Sequence, residues 1–455
     1  MKTTTSINPA TEEEITSYNR VSEESAKEKI AKANETYKTW KKTSFNERSK
    51  LMHKLANIFE ENKEKYAQLA TLEMGKVIEQ SRKEIEKCAL ICRYYADNIA
   101  NLLADKTVET EASKSYVTFQ PLGVTLAVMP WNFPFYQVIR FAAPAVMTGN
   151  TGVLKHASNV QGCAFALEVA FTEAGFPKGV FTNLNVTSDA IKTIIEDKNI
   201  VAVTLTGSEP AGRSVAKIAG ENLKKTVLEL GGSDAYIILE DADLEKATDL
   251  ATYGRLQNNG QTCIAAKRFI VLEEIYDEFL SLFTKKMKAA KMGAPTDKDV
   301  YYGPMARVDL RNEIHEQVQK TIKQGGKLIL GGKIPDRKGA YYPATILGDL
   351  KPGMVAFDEE LFGPVASVIR AKDENEAIEL ANNSTFGLGS GVITSNTKRG
   401  EKVALQLEAG NSFVNKLVTS DPRLPFGGIK NSGYGRELSS YGIREFVNTK
   451  SIWID

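Results

Sequence analysis

Asn258-Asn259-Gly260-Gln261-Thr262-Cys263 sets one cysteine in a small polar turn that carries a glycine and no apolar residue before the sulfur. A structural cysteine behaves as a small hydrophobe and sits inside an apolar run. A nucleophilic one needs partial exposure and nearby donors for its thiolate. The turn points to a reactive thiol, and Ile264-Ala265-Ala266 after it are expected to begin a strand or helix that holds the sulfur at a fixed point.

A nucleophile needs a base. The chain has only three histidines, His53, His156 and His315, with no HExxH and no histidine paired with a CxxC, which argues against zinc. Without a GxSxG elbow a Ser-His-Asp site has little to work with. The base is then a carboxylate, a lysine or a tyrosine. Cys88 and Cys92, four residues apart in a helical pattern, read as a core face rather than as metal ligands.

Four segments carry polar groups where buried strands should end, the place where parallel sheets bind ligands. Pro130-Trp131-Asn132-Phe133-Pro134 is a rigid turn able to aim an amide. Leu228-Glu229-Leu230 sets a carboxylate between leucines, where burial would raise its pKa toward that of a useful base. Lys155-His156-Ala157-Ser158 places a cation after a strand. Thr206-Gly207-Ser208-Glu209-Pro210 reads as strand, turn and helix start, whose free amides suit a pyrophosphate, although the spacing is not GxGxxG and a plain capped helix is the simpler alternative. Gly387, Gly389 and Gly391 form a weaker glycine string, read as a strand entry.

The elements that must position these groups follow from periodicity. Residues 22 to 104 read as a helical lead-in, with Ala26, Ile30, Ala33 and Tyr37 at helical spacing. From about 115 short apolar runs alternate with helical stretches. Val124 to Met129, Thr151 to Leu154, Val180 to Leu184, Val201 to Thr206 and Tyr236 to Leu239 read as buried strands of a doubly wound parallel sheet. A second α/β block follows Cys263, with strands near 267 to 272, 327 to 330, 365 to 370, 389 to 394 and 411 to 415.

Composition bounds the class. At 455 residues the chain should divide into two or more domains. Its 58 basic and 57 acidic side chains leave no net field for nucleic acid or anionic membranes. The N-terminus lacks an apolar signal region and no run reaches about 18 apolar residues, which predicts a cytoplasmic protein. Four cysteines in so long a chain make no disulfide framework, in keeping with a reducing compartment.

Taken together, Pro130-Trp131-Asn132-Phe133-Pro134, Lys155-His156-Ala157-Ser158, Thr206-Gly207-Ser208, Leu228-Glu229-Leu230-Gly231-Gly232, Gly260-Gln261-Thr262-Cys263, Glu359-Glu360-Leu361-Phe362-Gly363-Pro364 and Pro425-Phe426-Gly427-Gly428 resemble the NAD(P)-dependent aldehyde dehydrogenase superfamily, in its order and spacing over nearly the whole chain. Lys155 to Val160 and Ser420 to Phe426 look like the bacterial and archaeal succinate-semialdehyde dehydrogenases.

The resemblance implies an α/β aldehyde dehydrogenase-like fold: a Rossmann-type cofactor domain (1–110 and 124–230), a catalytic domain (231–432) and a small β oligomerisation arm (111–123 and 433–455). A homodimer or homotetramer is expected. Cys263 would be the nucleophile, Asn132 and the Cys263 amide the oxyanion donors, and Glu229 the base that hydrolyses the thioester. Pro130, Trp131, Lys155, Ser158, Gly207, Ser208 and Leu230 would hold the cofactor, with Glu360 on the nicotinamide ribose and Phe362 against the ring. Many NAD-preferring relatives have a glutamate at the position of Ser158. Serine removes its repulsion of a 2′-phosphate, so NADP is expected, with NAD as the second option.

For a short semialdehyde, Arg140 and Ser420 match residues that hold the distal carboxylate, and Tyr136 would line the tunnel. Gln257 stands where some relatives have a second arginine, and Arg255 and Arg423 are the nearby candidates to compensate. A CoA-acylating enzyme, a broad-specificity aldehyde dehydrogenase and a non-enzymatic scaffold are the alternatives. Glu229 and the complete catalytic set weigh against the first and the last.

Overall fold

The computed structural model describes residues 2–455. A hairpin of Thr3–Asn8 and Glu13–Asn19 precedes four helices, Glu23–Trp40, Phe45–Glu61, Lys63–Met74 and Ile78–Leu102. Ser44 and Glu47 cap the second helix reciprocally, each side chain bonding the other's backbone amide, so this start is written in four residues.

Five parallel strands and one short antiparallel edge strand make the first sheet, in the spatial order Gly433–Tyr434, Lys225–Glu229, Ile200–Thr206, Val124–Met129, Thr151–His156, Phe181–Asn183. The chain starts at the centre with Val124–Met129, runs outward through two strands, then returns to the other side. The direction of travel therefore switches between Val124–Met129 and Ile200–Thr206, and the crevice beyond their C-terminal ends is open for a ligand. The strands are buried on both faces. Leu126, Val153, Val203 and Leu205 enter one core, Ala127, Leu154 and Ala202 the other, and this is why they read as continuous apolar runs.

The second sheet has seven strands, in the order Lys327–Leu330, Thr345–Gly348, Val365–Ala371, Arg268–Leu272, Ala235–Ile238, Gly389–Ile393, Asn411–Val414. All pair in parallel except Lys327–Leu330 at the edge. Ile237, Ile270, Ile369 and Val392 fill one face, and Tyr236, Phe269, Val368 and Ile393 the other. A third, antiparallel sheet joins Lys106–Thr107, Lys114–Pro121 and Val447–Ile454. Trp453 and Ile454 on it are exposed.

Three local expectations change. Ile264-Ala265-Ala266 is a turn closed by the Ala265 amide on the Thr262 carbonyl (3.1 Å), and the strand begins only at Arg268. The N-terminal hairpin and the Thr345–Gly348 strand join the elements read from the sequence. No helix among the described residues is long and apolar enough to cross a membrane.

Candidate active site

Cys263 follows three consecutive residues in the left-handed region, Asn258 (φ 53°), Asn259 (φ 58°) and Gly260 (φ 76°). Only glycine fits the third place, since a Cβ there would meet the Gly363 carbonyl carbon at 2.3 Å. The asparagine amides lock the other two. Asn258 Nδ2 donates to the carbonyls of Asn132 (2.9 Å) and Gln261 (3.0 Å), and Asn259 Nδ2 to those of Gly75 (2.8 Å) and Pro304 (2.7 Å). Gln261 Oε1 accepts from the Ala306 amide at 3.0 Å. The thiol is thus held by a turn tied to three separate parts of the chain, around Gly75, Asn132 and Pro304 to Ala306, and a polar composition that looks like a loop is in fact buried.

Burial pushes the Cys263 thiol up to about 12, against the pull of Arg140 and Lys267. Lys267 Nζ donates to the carbonyls of Thr262 (3.0 Å) and Cys263 (2.6 Å) and pairs with Glu360 Oε1 at 3.0 Å. Glu360 Oε1 also accepts from the Gly232 amide at 3.1 Å. One buried lysine therefore joins the nucleophile's backbone to Glu360.

Asn132 lies in the turn after the central strand, and Nδ2 donates to the Gln261 carbonyl at 3.1 Å with its second proton uncommitted. Its own carbonyl accepts from Lys76 Nζ at 2.8 Å. Lys76 pairs with Glu84 at 2.5 Å, and Glu84 Oε1 accepts from the amides of Phe135 (2.8 Å) and Tyr136 (3.0 Å), which open the Tyr136–Met147 helix. This fully buried pair fixes both the asparagine turn and the helix behind it.

Two cavities meet at Cys263. One, of about 550 Å³, opens at the switch point and is walled by Pro130, Trp131, Gly207, Ser208, Glu360 and Phe362, with Asn132, Leu230 and Cys263 at its floor. The Glu209–Glu221 helix starts on it, and the Ser208 hydroxyl makes no bond to that helix, so the helix's first amides and the hydroxyl are free for an anion. Lys155 lies at the end of the neighbouring Thr151–His156 strand, Ser158 opens the short turn after it, and both lie outside these walls, Ser158 exposed. The pyrophosphate and nicotinamide parts of a dinucleotide fit here.

The other cavity, of about 470 Å³, includes Tyr136, Arg140, Ser420, Phe426 and Cys263, together with Lys87 from the Ile78–Leu102 helix. Arg140 is ion-paired through Nε with Glu437, and its Nη2 has no acceptor. Tyr136 Oη and Ser420 Oγ are 2.7 Å apart, and Lys87 Nζ donates to Ser420 Oγ at 2.7 Å. Gln257 lines this cavity as well, whereas Arg255 is turned away to the Gly260 carbonyl and Arg423 pairs with Asp421.

Glu229 lines neither cavity. Its carboxylate lies against Gly427, where a Cβ would come within 2.6 Å of Oε1, and neither oxygen has a hydrogen-bond partner. Desolvation, with Glu437 nearby, holds its pKa well above the usual carboxylate range, while Arg140 and Arg436 pull it down.

Lys76, Glu84, Lys87, Lys267 and Glu437 are the site residues that motif reading passed over. A signal existed for two of them: Glu84 and Lys87 interrupt the apolar stripe of Ile85, Cys88, Ile91 and Cys92 on a helix that is otherwise cleanly amphipathic. Glu437 had none.

The aldehyde dehydrogenase family model matches residues 1–452. The chain belongs to the aldehyde dehydrogenase family. This family member is 48% identical over 448 residues to a probable succinate-semialdehyde dehydrogenase (NADP(+)) of Synechocystis, covering 98% of this chain and 99% of the relative. It is 48% identical over 451 residues to succinate-semialdehyde dehydrogenase (NADP(+)) 1 of Mycobacterium tuberculosis, with the same coverage. Among solved structures it superimposes on succinic semialdehyde dehydrogenase from Streptococcus pyogenes, in complex with NADP+, with a TM-score of 0.97 at 41% identity, covering 99% of both chains. A betaine aldehyde dehydrogenase from Staphylococcus aureus with NAD+ scores 0.96 at 30% identity, covering 99% of this chain and 94% of that one. Family members with such different substrates share one backbone, so the side chains lining the cavities must choose the aldehyde.

Proposed function

We propose that this family member oxidises succinate semialdehyde to succinate with NADP+ and water, giving NADPH and protons. The observation that carries the reading is the electropositive second cavity. Lys83, Lys87, Arg140 and Lys416 line it, while its Glu84 is already paired with Lys76 outside it. An aldehyde that bears a carboxylate suits such a wall, and the names of the 48% identical relatives agree.

Cys263 attacks the aldehyde carbon as thiolate, with Arg140 and Lys267 favouring the charge. The free Asn132 Nδ2 proton and the Cys263 amide bond the oxyanion where its charge develops. The bound nicotinamide supplies the hydride acceptor. Pro130, Trp131, Leu230 and Phe362 shape its seat, Gly207 and Ser208 hold the pyrophosphate, Glu360 takes the ribose, and Lys155 and Ser158 take the adenosine side. After hydride loss Cys263 carries a thioester. Glu229, swung from Gly427 toward Cys263, removes a proton from the attacking water and releases the acid. Ser158 sets no carboxylate against a 2′-phosphate, which supports NADP over NAD. Tyr136, Arg140 and Ser420 orient the distal carboxylate.

The division into a cofactor domain (1–110 and 124–230), a catalytic domain (231–432) and an arm (111–123 and 433–455) is part of the same reading, with the switch-point crevice in the first and the seven-stranded sheet in the second. The exposed Trp453 and Ile454 on the arm support a homo-oligomer, since a free strand edge invites a partner. Light scattering of the purified protein reads that state.

The deciding assay follows NADP reduction with succinate semialdehyde and with butanal, with and without CoA, and repeats it with NAD. A kcat/KM at least tenfold higher for succinate semialdehyde, independent of CoA, is expected. Equal values for the two aldehydes, or turnover only with CoA, would overturn the proposal.

A further inference from the structure

Lys87 is the one cation of the second cavity that is half-buried and unspent. Lys83 and Lys416 are exposed, and Arg140 already serves Glu437. Among the described residues no carboxylate lies within ion-pair distance of Lys87. Its ammonium sits over the Tyr136 ring, 4.5 Å from the centroid, and donates one proton to Ser420 Oγ at 2.7 Å. The other two protons have no protein acceptor. A half-buried cation with two idle donors costs stability, which the Tyr136 ring and the Ser420 bond offset only in part. Burial, helped by Arg140, pushes its pKa down to about 8, so it is still mostly charged at neutral pH.

We infer that Lys87, which lies with Arg140 against the same Tyr136 ring (4.5 and 5.7 Å to its centroid), supplies the second charge that grips the distal carboxylate of the aldehyde. It comes from the helical lead-in, and so does the work of the arginine that Gln257 replaces in the loop before Cys263. Lys87 Nζ and Tyr136 Oη both reach Ser420 Oγ, so when both donate, the serine's own proton is free for the same carboxylate. Substrate recognition is then assembled from three separate parts of the chain: the Ile78–Leu102 helix, the Tyr136–Met147 helix and the segment around Ser420.

The inference rests on the proposed oxidation of a carboxylate-bearing aldehyde, and one experiment separates the two. kcat/KM is measured with NADP for succinate semialdehyde and butanal in wild type, Lys87→Met, Lys87→Gln and Lys87→Arg. If the wild type shows no preference for the acid aldehyde, the functional reading fails. If the wild type prefers it and Lys87→Met keeps that ratio, Lys87 alone is wrongly assigned. The expected result is a ratio reduced at least tenfold in Lys87→Met, carried by KM, and partly restored in Lys87→Arg. Lys87→Gln can still bond Ser420 but has no charge. It should resemble Lys87→Met, and a wild-type ratio in Lys87→Gln would make Lys87 a mere prop for the serine and overturn the inference. Should Lys87→Met fail to fold, the glutamine and arginine variants decide between the same outcomes.

Discussion

Glu229→Gln should pull activity and stability in opposite directions. In the fold the carboxylate is buried without a single hydrogen bond and its pKa is raised, desolvation being the largest cause. Below the ordinary carboxylate value of 4.5 both folded and unfolded chains hold the proton and there is no penalty. Above it the unfolded chain releases the proton while the native one retains it, so the unfolded state is favoured as pH rises. The penalty at pH 7 cannot exceed the cost of protonating a carboxyl there, 2.5 units at about 1.4 kcal/mol each, or roughly 3.5 kcal/mol. Glutamine has the same shape and no charge. Its variant should therefore be more stable than wild type at pH 7 by an amount between zero and that ceiling, and the gap should vanish toward pH 4. Catalysis loses its base. Rapid mixing should show one burst of reduced cofactor per site, with steady turnover lower by about 10²-fold or more. In wild type, turnover should rise with pH as Glu229 ionises. Urea unfolding at pH 5 and 7 and stopped-flow absorbance at 340 nm, the usual NADPH band, read the two effects. Unimpaired turnover in the variant, or a loss of stability that is the same at both pH values, would refute the reasoning.

Ser158→Glu sets a carboxylate near the 2′-phosphate, at a cost of about 1 to 4 kcal/mol depending on screening, so the NADP to NAD ratio of kcat/KM should fall at least fivefold; an unchanged ratio places the adenosine ribose elsewhere. Arg140→Met strands Glu437, and breaking a buried pair from one side costs about 3 to 5 kcal/mol, so chemical unfolding should come earlier, while kcat/KM should fall further for succinate semialdehyde than for butanal, which has no carboxylate for Arg140 to hold. Lys87→Met should stabilise the fold. The folded pKa of about 8 lies below the ordinary 10.5, so at pH 7 the charged native lysine carries a penalty of up to about 3 kcal/mol, reduced by the solvent that still reaches it. The gain should shrink as pH climbs from 8 to 10.5, with Arg140, Tyr136, Asp421 and Cys88 the groups facing the ammonium. Differential unfolding at pH 7 and pH 10 checks it.

The parallel strands were legible because both faces are buried, so Val124–Met129 and Ile200–Thr206 are apolar throughout. The N-terminal hairpin was not, because its inward positions are hydroxyls. Thr4 bonds Asn185 at 3.2 Å and Ser6 bonds Glu73 at 2.5 Å, which hides the alternation that marks a half-buried strand. Thr345–Gly348 is four buried residues, too short to register a period. At the site, Cys263, Asn132 and Glu229 were visible because each is a polar residue at the end of an apolar strand or in a glycine turn. Lys76, Lys87 and Lys267 also reach Asn132, Ser420 and Glu360, groups far away in sequence, and local pattern says nothing about such partners. Arg140 was visible as a residue, but its pairing with Glu437, almost three hundred positions on, belongs to tertiary structure alone.

The left-handed run of Asn258, Asn259 and Gly260 has a consequence for folding kinetics. Each asparagine holds a conformation that a free chain avoids by about 1 kcal/mol, and the compensating amide bonds reach Gly75, Asn132 and Pro304. None of those bonds exists until the helical lead-in, the first sheet and the loop at Pro304 have docked. The nucleophile's turn is then expected to settle only after those pieces meet, so a refolding chain should regain its helical signal before its thiol reactivity.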